Sequence, residues 1–75
     1  MKITVKLIGP LARACGFSEK DMDVAPGTTA GQLMLILDPG ASRPRIVTRN
    51  GQAIAPGDPV EAGDRIVISP IYSGG

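Results

Sequence analysis

The sequence predicts an α+β fold: one mixed sheet with a single main helix packed across one face. Three observations predict it. Residues 2–8 and 65–69 alternate apolar and polar side chains with the two-residue period of a half-buried strand. Residues 29–37 carry apolar side chains at helical spacing behind a capping motif. Gly- and Pro-rich turn pairs divide the rest into short pieces. The chain has 75 residues, and a chain this short buries only about 60% of its unfolded surface. That allows one core, with no room for a second module or a deep cofactor cleft. The expectation is one domain over residues 1–75, with 70–75 as a flexible C-terminal tail.

In the first strand Ile3, Val5 and Leu7 point one way, and Lys2, Thr4 and Lys6 the other. Gly9-Pro10 breaks the pattern, residues 11–15 form a short helical turn, and Gly16 ends it. Lys20-Asp21-Met22-Asp23-Val24 alternates again as a second strand, closed by Pro26-Gly27. Thr29 and Gln32 have the spacing of a capping box, with Thr29 as N-cap. Leu33, Ile36 and Leu37 then form one helix face, and Pro39 ends the helix. Residues 45–49 are a third strand, Asn50-Gly51 a tight turn, and residues 52–54 a short fourth strand. Pro56-Gly57-Asp58-Pro59 and Ala62-Gly63-Asp64 are turns. In the last strand, residues 65–69, Ile66 and Ile68 share a face.

The order is strand, strand, helix, strand, short strand, strand, with the first and last strands as central neighbours. This is the β-grasp layout. Its predicted core is Ile3, Val5, Leu7, Met22, Val24, Leu33, Ile36, Leu37, Val60, Ile66 and Ile68, joined by Ile46 or Val47 according to register.

Composition excludes several functions. Hydrophobic content is 43% and charged content 20%, which is globular rather than disordered. Phe17 and Tyr72 are the only aromatics, so the core is aliphatic and base-stacking side chains are missing. A net charge of +1 argues against a phosphate-driven nucleic-acid binder. Arg43, Arg45 and Arg49 read as solubility and edge-strand protection. The longest apolar run, residues 33–37, is too short to span a bilayer, and the N-terminus is a strand pattern rather than a signal peptide. Cys15 stands alone, so no internal disulfide forms and a reducing compartment follows. The expected location is the cytoplasm.

No catalytic constellation is present. The chain has no histidine, which removes the commonest general base and metal ligand. Zinc would want several Cys or His ligands, and there is no phosphate loop. The carboxylates at 21, 23, 58, 61 and 64 read as solvated surface charge. Cys15 has no local base and reads as a half-buried filler. Asn50-Gly51 reads as a turn and nothing more.

The closing residues carry more. Val67 falls on the face opposite Ile66 and Ile68, and Ile71 and Tyr72 are more apolar than exposure requires, which suggests a docking surface. Pro70 cannot donate to a ladder, so strand pairing is expected to end there. The five residues beyond it extend about 16 Å. Gly74-Gly75 is thin and conformationally free, able to thread a narrow channel and deliver an α-carboxylate to a partner's active site.

With these residues in view, the whole chain resembles the MoaD/ThiS family of ubiquitin-like sulfur carriers. The resemblance rests on the opening strand and the element Gly9-Pro10-Leu11-Ala12-Arg13-Ala14-Cys15-Gly16. It also rests on the threonine-capped helix, on Asn50-Gly51, and on Gly63-Asp64-Arg65-Ile66-Val67-Ile68 leading into Pro70 and Gly74-Gly75. The 11–16 element is closer to MoaD, the small subunit of molybdopterin synthase. The tail departs from the MoaD pattern: Ile71 replaces a second proline, Tyr72 stands at an aliphatic position and Ser73 at a small one.

The resemblance implies a carrier rather than an enzyme, or a small non-catalytic subunit. An E1-like adenylating enzyme of MoeB/ThiF type, using ATP and magnesium, would adenylate Gly75, with Gly74 giving access. Sulfur transfer would then form a Gly75 thiocarboxylate. Val67, Pro70, Ile71, Tyr72 and Ser73 would engage partners. The acceptor would be an enzyme such as the molybdopterin synthase large subunit, for molybdopterin or tungstopterin assembly, with thiamine biosynthesis as the neighbouring pathway. The chain itself would bind no cofactor, metal, nucleic acid or membrane. Two other readings stay open: a protein modifier joined through Gly75 to lysines, and a plain β-grasp interaction module.

Overall fold

The computed structural model describes residues 1–37 and 45–70. Pro39 as helix stop, Arg43, and Ile71, Tyr72, Ser73, Gly74 and Gly75 lie outside the described residues. The elements are β1 (Lys2–Leu7), α1 (Pro10–Cys15), β2 (Glu19–Asp23), α2 (Ala30–Leu37), β3 (Arg45–Arg49), β4 (Gln52–Ile54) and β5 (Arg65–Pro70). The five strands form one sheet in the order β2-β1-β5-β3-β4. β1 and β5 are parallel, with Val5 beside Ile66 and Leu7 beside Ile68; the other pairs are antiparallel.

Alternation along the two central strands decides what is buried. Ile3, Val5 and Leu7 of β1 and Ile66 and Ile68 of β5 all point to the helix side, joined by Val47, Leu33, Ala30, Leu11 and Val60. Leu33 is fully enclosed, which contributes about 2 kcal/mol of transfer free energy. Met22, Val24 and Leu37 are half-buried and pack against this core. Register places Val47 inside and Ile46 outside, because Val47 pairs with Ile68 and Ile46 with Ser69.

α2 begins on the predicted capping box. The Thr29 N–H donates to Gln32 Oε1 at 3.0 Å, and the Gln32 N–H donates to Thr29 Oγ1 at 3.2 Å. The first turn is also tied to the loop before β5, where the Gly31 N–H donates to the Pro56 carbonyl at 2.8 Å. A Cβ on Gly31 would sit 3.1 Å from that oxygen, so glycine permits this close approach.

Four expectations are corrected. Ile36, expected in the core, is 60% exposed. The final turn of α2 is apolar on every side, and only one side meets the sheet. Leu11, on α1, fills the core instead. Arg49 does not protect an edge, because it lies between β5 and β4, opposite Ile66 and Gln52. The edge β2 carries the charges Glu19, Lys20, Asp21 and Asp23. Asp64 is not solvated: it is 7% exposed, and its carboxylate accepts from the Glu61 N–H at 2.7 Å and Asn50 Nδ2 at 3.1 Å. Finally, Pro70 belongs to β5, opposite Arg45, so the strand runs one residue past its expected end. By alternation the Pro70 nitrogen points the same way as the Ile68 carbonyl, which receives the Ile8 N–H at 3.1 Å. That is the β1 side, where β1 has already ended at Leu7. A missing donor there breaks no ladder.

Candidate functional site

The last described residue of β5 is Pro70, so the candidate site is the sheet surface around that end of the strand. The outward row of β5 is Arg65, Val67 and Ser69. Val67 stands between Lys6 of β1 and Thr48 of β3. Ser69 stands opposite Ile46. Ile8 continues the outward row of Lys2, Thr4 and Lys6, and its N–H bond to Ile68 holds it beside Ser69. Ile8 is 38% and Ile46 42% exposed. Val67, Ser69 and Pro70 are half-buried. Three aliphatic side chains thus surround a small serine, next to Pro70, the last described residue.

Sequence reasoning named Val67 and Pro70 here and missed Ile8 and Ile46. The signal for Ile8 was available, since it has the parity of Lys6. Ile46 depended on the β3 register, which the hydrophobic pattern alone left open. Ile71, Tyr72, Ser73, Gly74 and Gly75 are beyond the described residues, so the patch and the glycine pair are related only through Pro70.

Charge on this face is paired toward β2. Lys6 lies opposite Glu19, and Arg65 reaches Glu19 Oε1 at 3.1 Å. Thr4 Oγ1 donates to Asp21 Oδ1 at 2.8 Å. The outer face therefore divides into a charged region that runs from β2 to Lys6 and Arg65 and an aliphatic region at the head, formed by Ile8, Ile46 and Val67.

The opposite face holds a cleft of about 170 Å³, lined among others by Leu7, Leu11, Cys15, Met34, Leu37 and Ile68. Cys15 is half-buried, and its thiol donates to the Leu37 carbonyl at 3.3 Å. That suits a packing role. Among the described residues no three His, Cys, Asp or Glu side chains come together as a metal site, and no helix is long and apolar enough to cross a membrane.

With this geometry the solved structures give the decisive comparison. The chain matches SAMP1, small archaeal modifier protein 1, from Haloferax volcanii at TM-score 0.76 and 29% identity, covering 100% of each chain. This chain has a ubiquitin-like, MoaD/ThiS-like fold. A putative molybdopterin converting factor subunit 1 from Pyrococcus furiosus superposes at TM-score 0.79, with 14% identity over 96% of this chain and 99% of that one. The complex of molybdopterin-converting factor subunits 1 and 2 from Helicobacter pylori matches at TM-score 0.64 and 20% identity, over 100% of both chains. At such identities these two establish the fold alone. No protein-family model matches the sequence, and no curated protein does. The β-grasp architecture is thus the one that the strand and helix patterns predict, and its MoaD/ThiS likeness the one that the family resemblance implies.

Proposed function

We propose that this ubiquitin-like chain is a sulfur carrier that receives its cargo at Gly75. The observation that carries the reading is the arrangement around β5: a full-length MoaD-like fold whose last strand ends beside an aliphatic patch and leads into Gly74-Gly75. The body is the handle, and a partner supplies the catalysis. The neighbours are small modifiers or converting-factor subunits, which supports a carrier or non-catalytic subunit over an enzyme.

The chemistry follows from the carboxylate. A carboxylate is a poor electrophile, so an E1-like enzyme with ATP and magnesium first joins the Gly75 carboxylate to AMP and releases pyrophosphate. Hydrosulfide-level sulfur from a donor then bonds to the Gly75 carbonyl carbon, AMP leaves with the C–O electron pair, and a thiocarboxylate remains. Gly74 lets the chain pass through a narrow channel, because neither terminal glycine has a Cβ. Val67 and Pro70, with Ile71, Tyr72 and Ser73, guide the partner onto the tail, and Ile8 and Ile46 enlarge the apolar contact. An acceptor resembling the molybdopterin synthase large subunit is supported by the Helicobacter pylori complex of subunits 1 and 2. Molybdopterin or tungstopterin assembly is the favoured pathway, ahead of thiamine biosynthesis, and the cytoplasm the setting.

A second reading has its own support. The 29% identity to a small archaeal modifier protein favours conjugation of the same activated Gly75 to lysines. Both readings share the adenylation step, which ATP–pyrophosphate exchange measures. Exchange should require the E1-like enzyme and this chain, and should disappear when Gly75 is deleted. Exchange that persists after the deletion contradicts both readings. Adducts on target lysines would then separate the modifier from the carrier.

A further inference from the structure

The Asn50–Gly51 turn takes no part in carrier chemistry, yet its side chain is held more tightly than a turn requires. Asn50 has φ 52° and Gly51 φ 88°, which closes the β3–β4 hairpin. Asn50 Oδ1 accepts the Arg65 N–H at 2.9 Å, and Asn50 Nδ2 donates to Asp64 Oδ1 at 3.1 Å. The Asn50 N–H also donates to the Arg65 carbonyl at 2.9 Å. Both polar atoms of the carboxamide are therefore committed to the start of β5.

An asparagine followed by glycine is prone to attack by the following backbone nitrogen, because glycine puts no Cβ in the way. We propose that Asn50 is a modification site, a deamidation centre that the fold holds shut by clamping its carboxamide between Asp64 and Arg65. The Gly51 nitrogen bonds to Asn50 Cγ and its proton passes to the leaving amine. The Cγ–N bond breaks, ammonia departs, and a succinimide remains. Water then adds to one imide carbonyl and breaks its bond to nitrogen, giving aspartate or isoaspartate. Water is the only co-reactant, and no oxidant or reductant is consumed.

The carboxamide must swing toward Gly51 for this attack, which breaks both side-chain hydrogen bonds. Two bonds of ordinary net strength slow the reaction roughly thirtyfold. The product also matters. Aspartate at position 50 cannot donate to Asp64 as Nδ2 did, and it sets a second carboxylate against a buried one. The nearby cations are already engaged, Arg49 with Asp64 itself. The Arg49 guanidinium donates to the Pro59 carbonyl at 2.7 Å and lies 4.0 Å from Asp64, and that of Arg65 donates to Glu19. Conversion thus loosens the foot of β5, whether or not Gly75 is ever activated.

The test is peptide mapping of the full chain, incubated folded in neutral buffer and unfolded in urea. Conversion of Asn50 to aspartate and isoaspartate should proceed in urea and run roughly thirtyfold slower in the folded protein. Equal rates in both states, or no conversion in urea, would overturn the proposal. A second measurement compares Asn50→Asp with Asn50→Gly, which loses the clamp without adding charge. Asn50→Asp should unfold at the lower temperature; an Asn50→Asp protein as stable as Asn50→Gly would overturn the claim that the product loosens β5.

Discussion

The two ends of β5 differ in almost every physical respect. At the foot, Arg65 leaves a loop in which Asp64 is buried and the Asn50 amide is hydrogen-bonded on both sides. β1 lies on one side of this end, through Thr4 beside Arg65, and β3 on the other, through Arg49 beside Ile66. At the head, β1 has stopped, Pro70 pairs with β3 alone among the described strands, and Ile8 and Ile46 face solvent. The difference teaches how one short strand divides its work between anchorage and exposure. Polar bonds fix the start of the strand, and the end that precedes the glycine pair in the sequence presents aliphatic surface instead.

Substitutions can break or sharpen this contrast. The largest effect is expected where both neighbouring strands hold β5. Ile66→Ala removes a fully buried side chain and should cost about 3 kcal/mol in urea unfolding. Asp64→Ala comes next, at about 2 kcal/mol by the same measurement, because the Glu61 N–H and Asn50 Nδ2 lose their acceptor. Thr29→Ala acts away from β5 and should cost about 1 kcal/mol, read in the same unfolding curves, as the loss of one N-cap. At the head the sign of the contrast reverses. Ile46→Ser should change stability by no more than about 0.5 kcal/mol, yet weaken binding to the proposed E1-like enzyme roughly tenfold, measured by calorimetry. A large stability loss with unchanged binding would show that the head is structural and not a docking surface.

Much of this layout was legible in the sequence, for reasons that can be traced to particular residues. Alternation in 2–8 and 65–69 placed five core side chains and paired the strands correctly. Thr29 and Gln32 located the helix start, because a capping box is a local motif with few alternatives. Long-range pairing was less legible. Asp64 read as surface charge because its burial rests on packing beside Asn50, fourteen residues away, although the local bond from the Glu61 N–H is a turn contact that three-residue spacing allows. Ile36 read as core because helical spacing over eight residues does not say how wide the buried stripe is. Ile46 and Val47 could be ordered only by the register against β5. At the candidate site, Val67 and Pro70 were visible from parity and ring chemistry, whereas the surface they share with Ile8 and Ile46 forms only when three strands align.

The central claim concerns one carboxylate, and intact mass spectrometry addresses it most directly. The chain is incubated with an E1-like adenylating enzyme, magnesium, ATP and a sulfur donor, then weighed and fragmented. The account predicts a gain equal to replacement of one oxygen by sulfur, located at Gly75 and dependent on ATP. An unchanged mass, with the enzyme active on a control carrier, would contradict it.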